Sequence, residues 1–176
     1  MPQALNDIRI VPARNEDVRL VLDFIRKLAE NERLAHECIA TEEGLRQWLF
    51  GENRAAEVVL AYLASTAVGF AVFFPHFSTF AARPGLYLED LFVDPEARGK
   101  GVGKALLRYL ADVAVDRGYA WLSWEVLEWN RPAIDFYRSL GAECLDGWRL
   151  FRLAGPALKG LAASSAGAPL QNRHTR

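Results

Sequence analysis

The segment Val93-Asp94-Pro95-Glu96-Ala97-Arg98-Gly99-Lys100-Gly101-Val102-Gly103-Lys104 holds the residues best spaced for chemistry. A strand leads in and a helix leads out, so the turn aims unpaired backbone N–H groups outward where the helix dipole adds positive potential. Its glycines let the backbone approach an anion closely, and Arg98 and Lys100 supply charge. These are the parts of a pyrophosphate cradle. Spacing then narrows the ligand. A P-loop requires Gly-Lys-Ser/Thr with a glycine five positions before the second Gly, whereas Gly103-Lys104 is followed by Ala105 and position 98 is Arg. A dinucleotide fingerprint fails as well, because the position three after Gly101 is Lys104. What stands is Arg-x-x-Gly-x-Gly, made by Arg98, Gly101 and Gly103.

Several elements must position this turn. Ile8–Val11 alternates and stops at Pro12, a short strand. From Asn15, the expected N-cap, Val18, Val21, Leu22, Ile25, Leu28 and Ala29 recur at helical spacing. Thr41 is placed to cap a second short helix buried through Leu45, Trp48 and Leu49. Gly51–Arg54 reads as a turn, Glu57–Ala64 and Val68–Phe74 as a hairpin about the chemically poor turn Thr66-Ala67, and Pro75–Pro84 as a loop. Gly85–Val93 is the strand that feeds the glycine turn. A helix follows over Gly101–Arg117, with Val102, Leu106, Leu110, Val113 and Ala114 as its stripe and Gly118 as its stop. Trp121–Leu127 alternates as a strand with Trp121, Ser123, Glu125 and Leu127 on one face. Asn130–Leu140 reads as a helix with Phe136 and Leu140 toward the core, Glu143–Leu145 and Trp148–Leu153 as two strands, and a short helix follows Pro156. This order is mixed α/β, with antiparallel pairing around Glu57–Val93 and a later strand–helix–strand unit that implies a parallel pair with a right-handed crossover.

The chain has 176 residues and 19.7 kDa, the size of one domain, read as 1–163 with a disordered tail over 164–176. Lys and Arg total 21 against 22 Asp and Glu, a net charge of -1, which gives no electrostatic reason to bind nucleic acid or an anionic membrane. Cys38 and Cys144 are too few and too far apart for a zinc site, and read as buried, inert thiols in a reducing compartment. His36, His76 and His174 lack metal-ligand spacing, so no metal is expected. Neither a signal segment nor a long apolar run is seen, and the expectation is a cytoplasmic protein.

Beyond the glycine motif, four blocks extend a resemblance. Arg-Gly-x-Gly-Val-Gly after a strand ending in Val-x-Pro resembles the acetyl-CoA signature of the GNAT superfamily of N-acetyltransferases. Tyr87–Val93, Glu128–Ile134, Phe136-Tyr137 and Gly147–Phe151 resemble its diamine (spermidine/spermine) N-acetyltransferase subfamily. The similarity covers about Ile8 to Leu153. It implies a mixed, mostly antiparallel central sheet of about six to seven strands flanked by about four helices.

The resemblance also implies roles. Acetyl-CoA would be held by Arg98, Gly99, Lys100, Gly101, Val102, Gly103 and Lys104, by backbone groups of Leu91, Phe92 and Val93 along the pantetheine and thioester, and by Asn130 and Ala133. Asn130 equally suits an N-cap. An amine with a lysine-like pKa is free base about once in 2,500 molecules at pH 7, so its acceptor site needs a carboxylate base. Glu89 takes that part. Strand alternation sends Asp90 to the other face, as a structural residue. Tyr137 matches the family's proton donor to the leaving sulfur. Glu32, Glu125 and Asp146, with Glu89, fall where the subfamily binds its cationic substrate. Two departures concern that substrate: Asn31 stands where the polyamine enzymes carry an aromatic, and Glu125 where a less acidic contact is expected. The implied function is direct acetyl transfer in a ternary complex to a small primary amine (a diamine, polyamine or thialysine-like amino acid) by a homodimer. A peptide N-acetyltransferase and a non-catalytic acyl-CoA sensor are the alternatives.

Overall fold

Val58, Leu60, Phe70, Val72 and Phe92 alternate along three successive strands, and the face they form is closed by Val21, Phe24 and Leu28 of the first helix. In the computed structural model, which describes residues 8–147 and 149–164, the chain falls into two compact units, Met1–Leu127 and Glu128–Arg176. The first unit is built on one five-stranded sheet in the order β1 (Ile8–Pro12), β2 (Glu57–Leu63), β3 (Thr66–Ser78), β4 (Arg83–Val93), β5 (Leu122–Trp124). The first four strands pair antiparallel, and β5 lies parallel to β4. The sheet is thus mixed and mostly antiparallel, as expected, with five strands among the described residues instead of six or seven.

Helix α1 (Val18–Asn31) buries Val18, Val21, Leu22, Phe24 and Leu28. Phe24, outside the expected stripe, stacks on Phe70 with ring centroids 5.7 Å apart. Asn15 does not cap the helix; its Oδ1 accepts from Arg46 at 3.1 Å, while the Arg14 N–H donates to Asp17 at 2.8 Å. The Thr41 hydroxyl caps α2 (Glu42–Leu45), which runs on into a π turn over Arg46–Phe50. Helix α3 (Val102–Asp116) touches all five strands through a face that includes Leu106 and Leu110, both fully buried.

Strand β5, expected over Trp121–Leu127, is only Leu122–Trp124, and two readings change among β2–β4. The β2–β3 turn is Ala64-Ser65, not Thr66-Ala67, and Ala64 takes a left-handed φ of 54°. The expected loop Pro75–Pro84 is largely strand, because β3 continues to Ser78 paired with β4. Pro75 is tolerated there because β2 starts at the Glu57–Phe73 pair, so beyond Phe73 this side of β3 is a sheet edge that needs no donor.

The second unit holds α4 (Arg131–Ser139) and α5 (Gly155–Ser164). The expected strands Glu143–Leu145 and Trp148–Leu153 do not form among the described residues, outside which Trp148 falls. A strand persists only where a neighbour satisfies its backbone, and the described residues of this unit supply none. Phe136 is half-buried as expected, whereas Leu140 is exposed. The expected tail, 165–176, lies outside the described residues.

A left-handed alanine costs about 1–2 kcal/mol, more than the chain entropy a glycine adds. Ala64→Gly is therefore expected to stabilise the fold by about 0.5–1 kcal/mol, read as a higher urea midpoint with an unchanged slope. A lower midpoint contradicts the turn geometry.

Candidate active site

β4 changes phase half-way along. Its register against β3 runs Phe74–Tyr87, Phe73–Leu88 and then Val72–Asp90, so Glu89 is the extra residue of a β-bulge. The slip corrects the expectation from strict alternation. Asp90 comes to lie opposite Val72, on the same face as Tyr87 and on the α1 side, and its carboxyl feels the charges of both Glu89 and Glu32. Burial first, then those two carboxylates, push the Asp90 carboxyl up to about 6. Glu32 is the C-cap of α1, and burial raises its pKa as well. Burial also pushes the Tyr87 phenol up to about 12, helped by the charge of Glu125, by the hydrogen bond Tyr87 donates to it, and by Glu89. Tyr87 thus stays a neutral phenol beside Glu125.

The structure therefore joins Glu32, Glu89 and Glu125 into one acidic patch, and adds Asp90 and Tyr87, which sequence reasoning did not place in the site. A signal was present. The apolar positions Leu86, Leu88, Leu91 and Val93 step by two, three and two, which marks a bulge at Glu89-Asp90.

Beside the patch, the Trp121 indole donates to His76 Nε2 at 2.7 Å, and the Ser123 hydroxyl oxygen lies 3.4 Å from the same nitrogen. Gly85 permits this: a Cβ there would collide with the Trp121 ring and the His76 nitrogen. Because the indole occupies the Nε2 lone pair, His76 is not arranged to deprotonate Ser123.

On the other side of the bulge, β5 pairs only with Leu86–Leu88, so no strand among the described residues runs along this edge of Leu91, Phe92 and Val93. Phe92 is anchored in the core and its neighbours are half-buried. The chain then makes a 3-10 turn, Pro95–Ala97, and passes through Gly99 and Gly101 with φ of 74° and 88° before α3. Gly101 is the N-cap and offers no side-chain acceptor; the first helical bond is Ala105 N–H to Gly101 O at 2.9 Å. The N–H groups of Val102, Gly103 and Lys104 precede it and project from the helix end. Positive φ at both glycines, an uncapped helix start and open space about Gly99 fit a pyrophosphate. Lys100 and Lys104 are exposed there. Arg98 is exposed as well, but its guanidinium is already engaged: its Nε donates to Val93 O at 3.0 Å and its Nη2 to Asn31 Oδ1 at 3.2 Å.

In the second unit, Asn130 Oδ1 accepts from the Ala133 N–H at 3.3 Å and caps α4, and Tyr137 is half-buried beside Phe136 with ring centroids 5.5 Å apart. Asp146 is exposed and accepts from the Cys144 thiol at 3.5 Å. Cys144 is exposed rather than buried, and the Asp146 carboxylate raises its thiol pKa; Cys38 is half-buried.

Residues 22–142 match the model of the Acetyltransferase (GNAT) family. The chain belongs to the GNAT acetyltransferase family. It is 37% identical over 166 residues to a thialysine N-epsilon-acetyltransferase of Bos taurus, covering 88% of this chain and 97% of that protein. It is 31% identical to an L-ornithine N5-acetyltransferase of Arabidopsis thaliana, covering 87% of each. Among solved structures, an integron cassette protein from the mobile metagenome of V. cholerae superposes with a TM-score of 0.74 at 27% identity, covering 89% of this chain and 98% of that one. The mixed α/β GNAT fold and acetyltransferase membership are thereby fixed, and the subfamily resemblance read from the motifs agrees with these relatives.

The Asp90 carboxyl binds a proton more tightly folded, at about 6, than in an unfolded chain, near 3.9. Folding is therefore favoured with the proton on. That advantage is complete below about pH 4 and lost as the pH rises through about 6, a swing of about 3 kcal/mol. Asp90→Asn is expected to exceed the parent in stability at pH 7.5 by a gap that closes toward pH 4, measured by urea unfolding at both values. A gap independent of pH contradicts the desolvated carboxyl.

Proposed function

We propose that the protein is an acetyl-CoA-dependent N-acetyltransferase of a small, multiply charged primary amine, such as a diamine, polyamine or thialysine-like amino acid. One observation carries this reading: a bulged strand bears a carboxylate cluster on one stretch and runs straight into an uncapped, glycine-built helix start. The relatives that act on thialysine and L-ornithine support the amine. The match over 22–142 crosses the boundary between the two units and supports reading 1–163 as a single catalytic domain.

In this reading Gly99–Lys104 receives the pyrophosphate on backbone N–H groups, with Lys100 and Lys104 adding charge. The open edge of Leu91–Val93 receives the pantetheine and offers an N–H to the thioester oxygen, a donor of the kind whose loss costs about 3–4 kcal/mol. Glu32 and Glu125 attract the ammonium groups of the substrate. Glu89 and the partly desolvated Asp90 accept the proton that the amine must lose, and the free amine attacks the thioester carbon. Tyr137 is the donor to the departing sulfur, and Asn130, Ala133 and Asp146 complete the cofactor and amine contacts, all on the strength of the family match. GNAT acetyltransferases use acetyl-CoA as co-substrate, and no cluster suited to a metal occurs among the described residues.

The reading includes a cytoplasmic location, whose reducing conditions suit the free thiols of Cys38 and Cys144. The exposed Leu145, Leu150 and Phe151 of the second unit support a homodimer. Sedimentation is expected to give twice the 19.7 kDa chain mass; a monomer at micromolar concentration refutes the dimer.

The activity is tested by CoA release from acetyl-CoA with a panel of diamines, polyamines, thialysine, ornithine and peptide N-termini. Turnover is expected on the small cations, and a preference for peptides refutes the substrate class. Tyr137→Phe is expected to lower kcat at least tenfold while acetyl-CoA affinity, by calorimetry, stays within about threefold. Equal losses in both, or in neither, remove Tyr137 from proton donation.

A further inference from the structure

The end of α1 and the glycine turn are joined at two points by residues 67 apart in sequence. Lys27 Nζ lies 2.9 Å from Asp94 Oδ1, and Arg98 Nη2 donates to Asn31 Oδ1 at 3.2 Å. Lys27 and Asn31 are one helical turn apart on α1, and Asp94 and Arg98 bracket the 3-10 turn Pro95–Ala97. The roles are crossed: each side contributes one cation and one acceptor. The pair is seated on the core. Lys27 lies over the Phe24 ring at 5.4 Å, Arg98 over the Phe92 ring at 6.0 Å, and those two rings touch with centroids 6.0 Å apart. Arg98 is also tied to the end of β4 through Val93 O.

The residue after Asn31 is Glu32, whose charge reaches Asp90. The helix stops directly beyond it. Arg33 takes a left-handed φ of 63°, and the Leu34 N–H returns to Ala29 O at 2.7 Å. With the Arg33 N–H donating to Glu30 O at 3.1 Å, these are the two bonds of a Schellman close, which ends α1 at Glu32.

We propose that Asn31, acting with Lys27, is a positioning residue that couples the amine-binding carboxylate Glu32 to the phosphate-binding turn, so that occupation of the turn orders the amine site. The inference rests on the reading of the turn as the coenzyme A site. It also gives Asn31, one of the two departures from the polyamine-enzyme pattern, a specific task. Anything that fixes Arg98–Lys104 fixes the partner of Asn31, and through the last turn of α1 it fixes Glu32. By reciprocity, an amine held at Glu32 strengthens coenzyme A binding by the same factor.

The test is amide hydrogen exchange of the full chain with and without coenzyme A, for the parent, Asn31→Ala and Asn31→Asp. In the parent, coenzyme A is expected to slow exchange both at 98–104 and at 28–34. Asn31→Ala should keep the slowing at 98–104 and lose at least fivefold of that at 28–34. Asn31→Asp, which keeps an acceptor for Arg98, should restore it. A contact of structural value only would speed exchange at 28–34 equally with and without ligand, and that result overturns the coupling. So does protection at 28–34 that survives in Asn31→Ala, or a failure of Asn31→Asp to restore it. Absence of protection at 98–104 in the parent refutes the coenzyme A site itself, and the coupling falls with it; protection there without protection at 28–34 refutes the coupling alone.

Discussion

The bulge at Glu89 is the constraint on which the rest of the site depends. A regular antiparallel β4 would alternate to its end, sending Asp90 away from Tyr87 and placing Leu91 and Val93 on the α1 side. One unpaired residue reverses this. Leu86 and Leu88 before the bulge and Leu91 and Val93 after it share a face, while Tyr87, Asp90 and Phe92 share the other. The extra residue also bends the strand and adds twist. β5 follows β4 only through Leu86–Leu88 and then parts from it. A single irregularity thus gathers the carboxylates on one side and leaves the backbone of Leu91–Val93 open at its edge.

That gathering has an electrostatic cost which shapes the chemistry. Burial is the first cause that raises the Asp90 carboxyl, and the neighbouring charges of Glu89 and Glu32 add to it. Among the described residues no buried cation relieves this cost. Lys27 and Arg98, cations of α1 and the turn, are engaged with Asp94, Val93 O and Asn31. The strain falls instead on Asp90, whose proton affinity is raised into the range of a useful base. An incoming ammonium removes the repulsion, so the ligand that best stabilises this patch is also the one that must give up a proton to it.

Much of this was legible in the sequence. The glycine turn, the strand before it and the helix after it were readable because each rests on local rules: an N–H-rich helix start, positive φ at glycine, and an apolar stripe at Val102, Leu106 and Leu110. The mixed sheet and its parallel last pair followed from element order. Three things were not read. The continuation of β3 through Pro75 was hidden because proline argues against strand wherever the sheet edge is unknown. Unbroken alternation puts Asp90 on the wrong face, although the spacing of Leu86, Leu88, Leu91 and Val93 records the slip. The contact of Asn31 with Arg98 joins α1 to the turn between residues 67 apart in sequence, and no local pattern encodes such a partner. The strands expected at Glu143–Leu145 and Trp148–Leu153 failed for another reason: β-propensity states what suits a ladder, not whether a neighbour exists to complete it.

The side chains also discriminate between routes of acyl transfer. A covalent route needs a nucleophile with a base in reach or an easily ionised thiol. Ser123 lies near His76, yet the nitrogen it faces already accepts the Trp121 indole at 2.7 Å, so the hydroxyl proton has no receiver there. Cys144 is exposed, but its thiol donates to Asp146, and that carboxylate holds it in the protonated form. Neither group is prepared to carry an acyl chain. The bases of the proposed function, Glu89 and Asp90, are carboxylates, poor acyl carriers and good acceptors for an ammonium proton. Such an arrangement favours one displacement, amine directly onto thioester, with both substrates present at once. It also gives a reason for the geometry of β4: a strand that presents its carboxylates before the bulge closes and its open backbone edge just after it brings base and acyl donor within a few residues of each other.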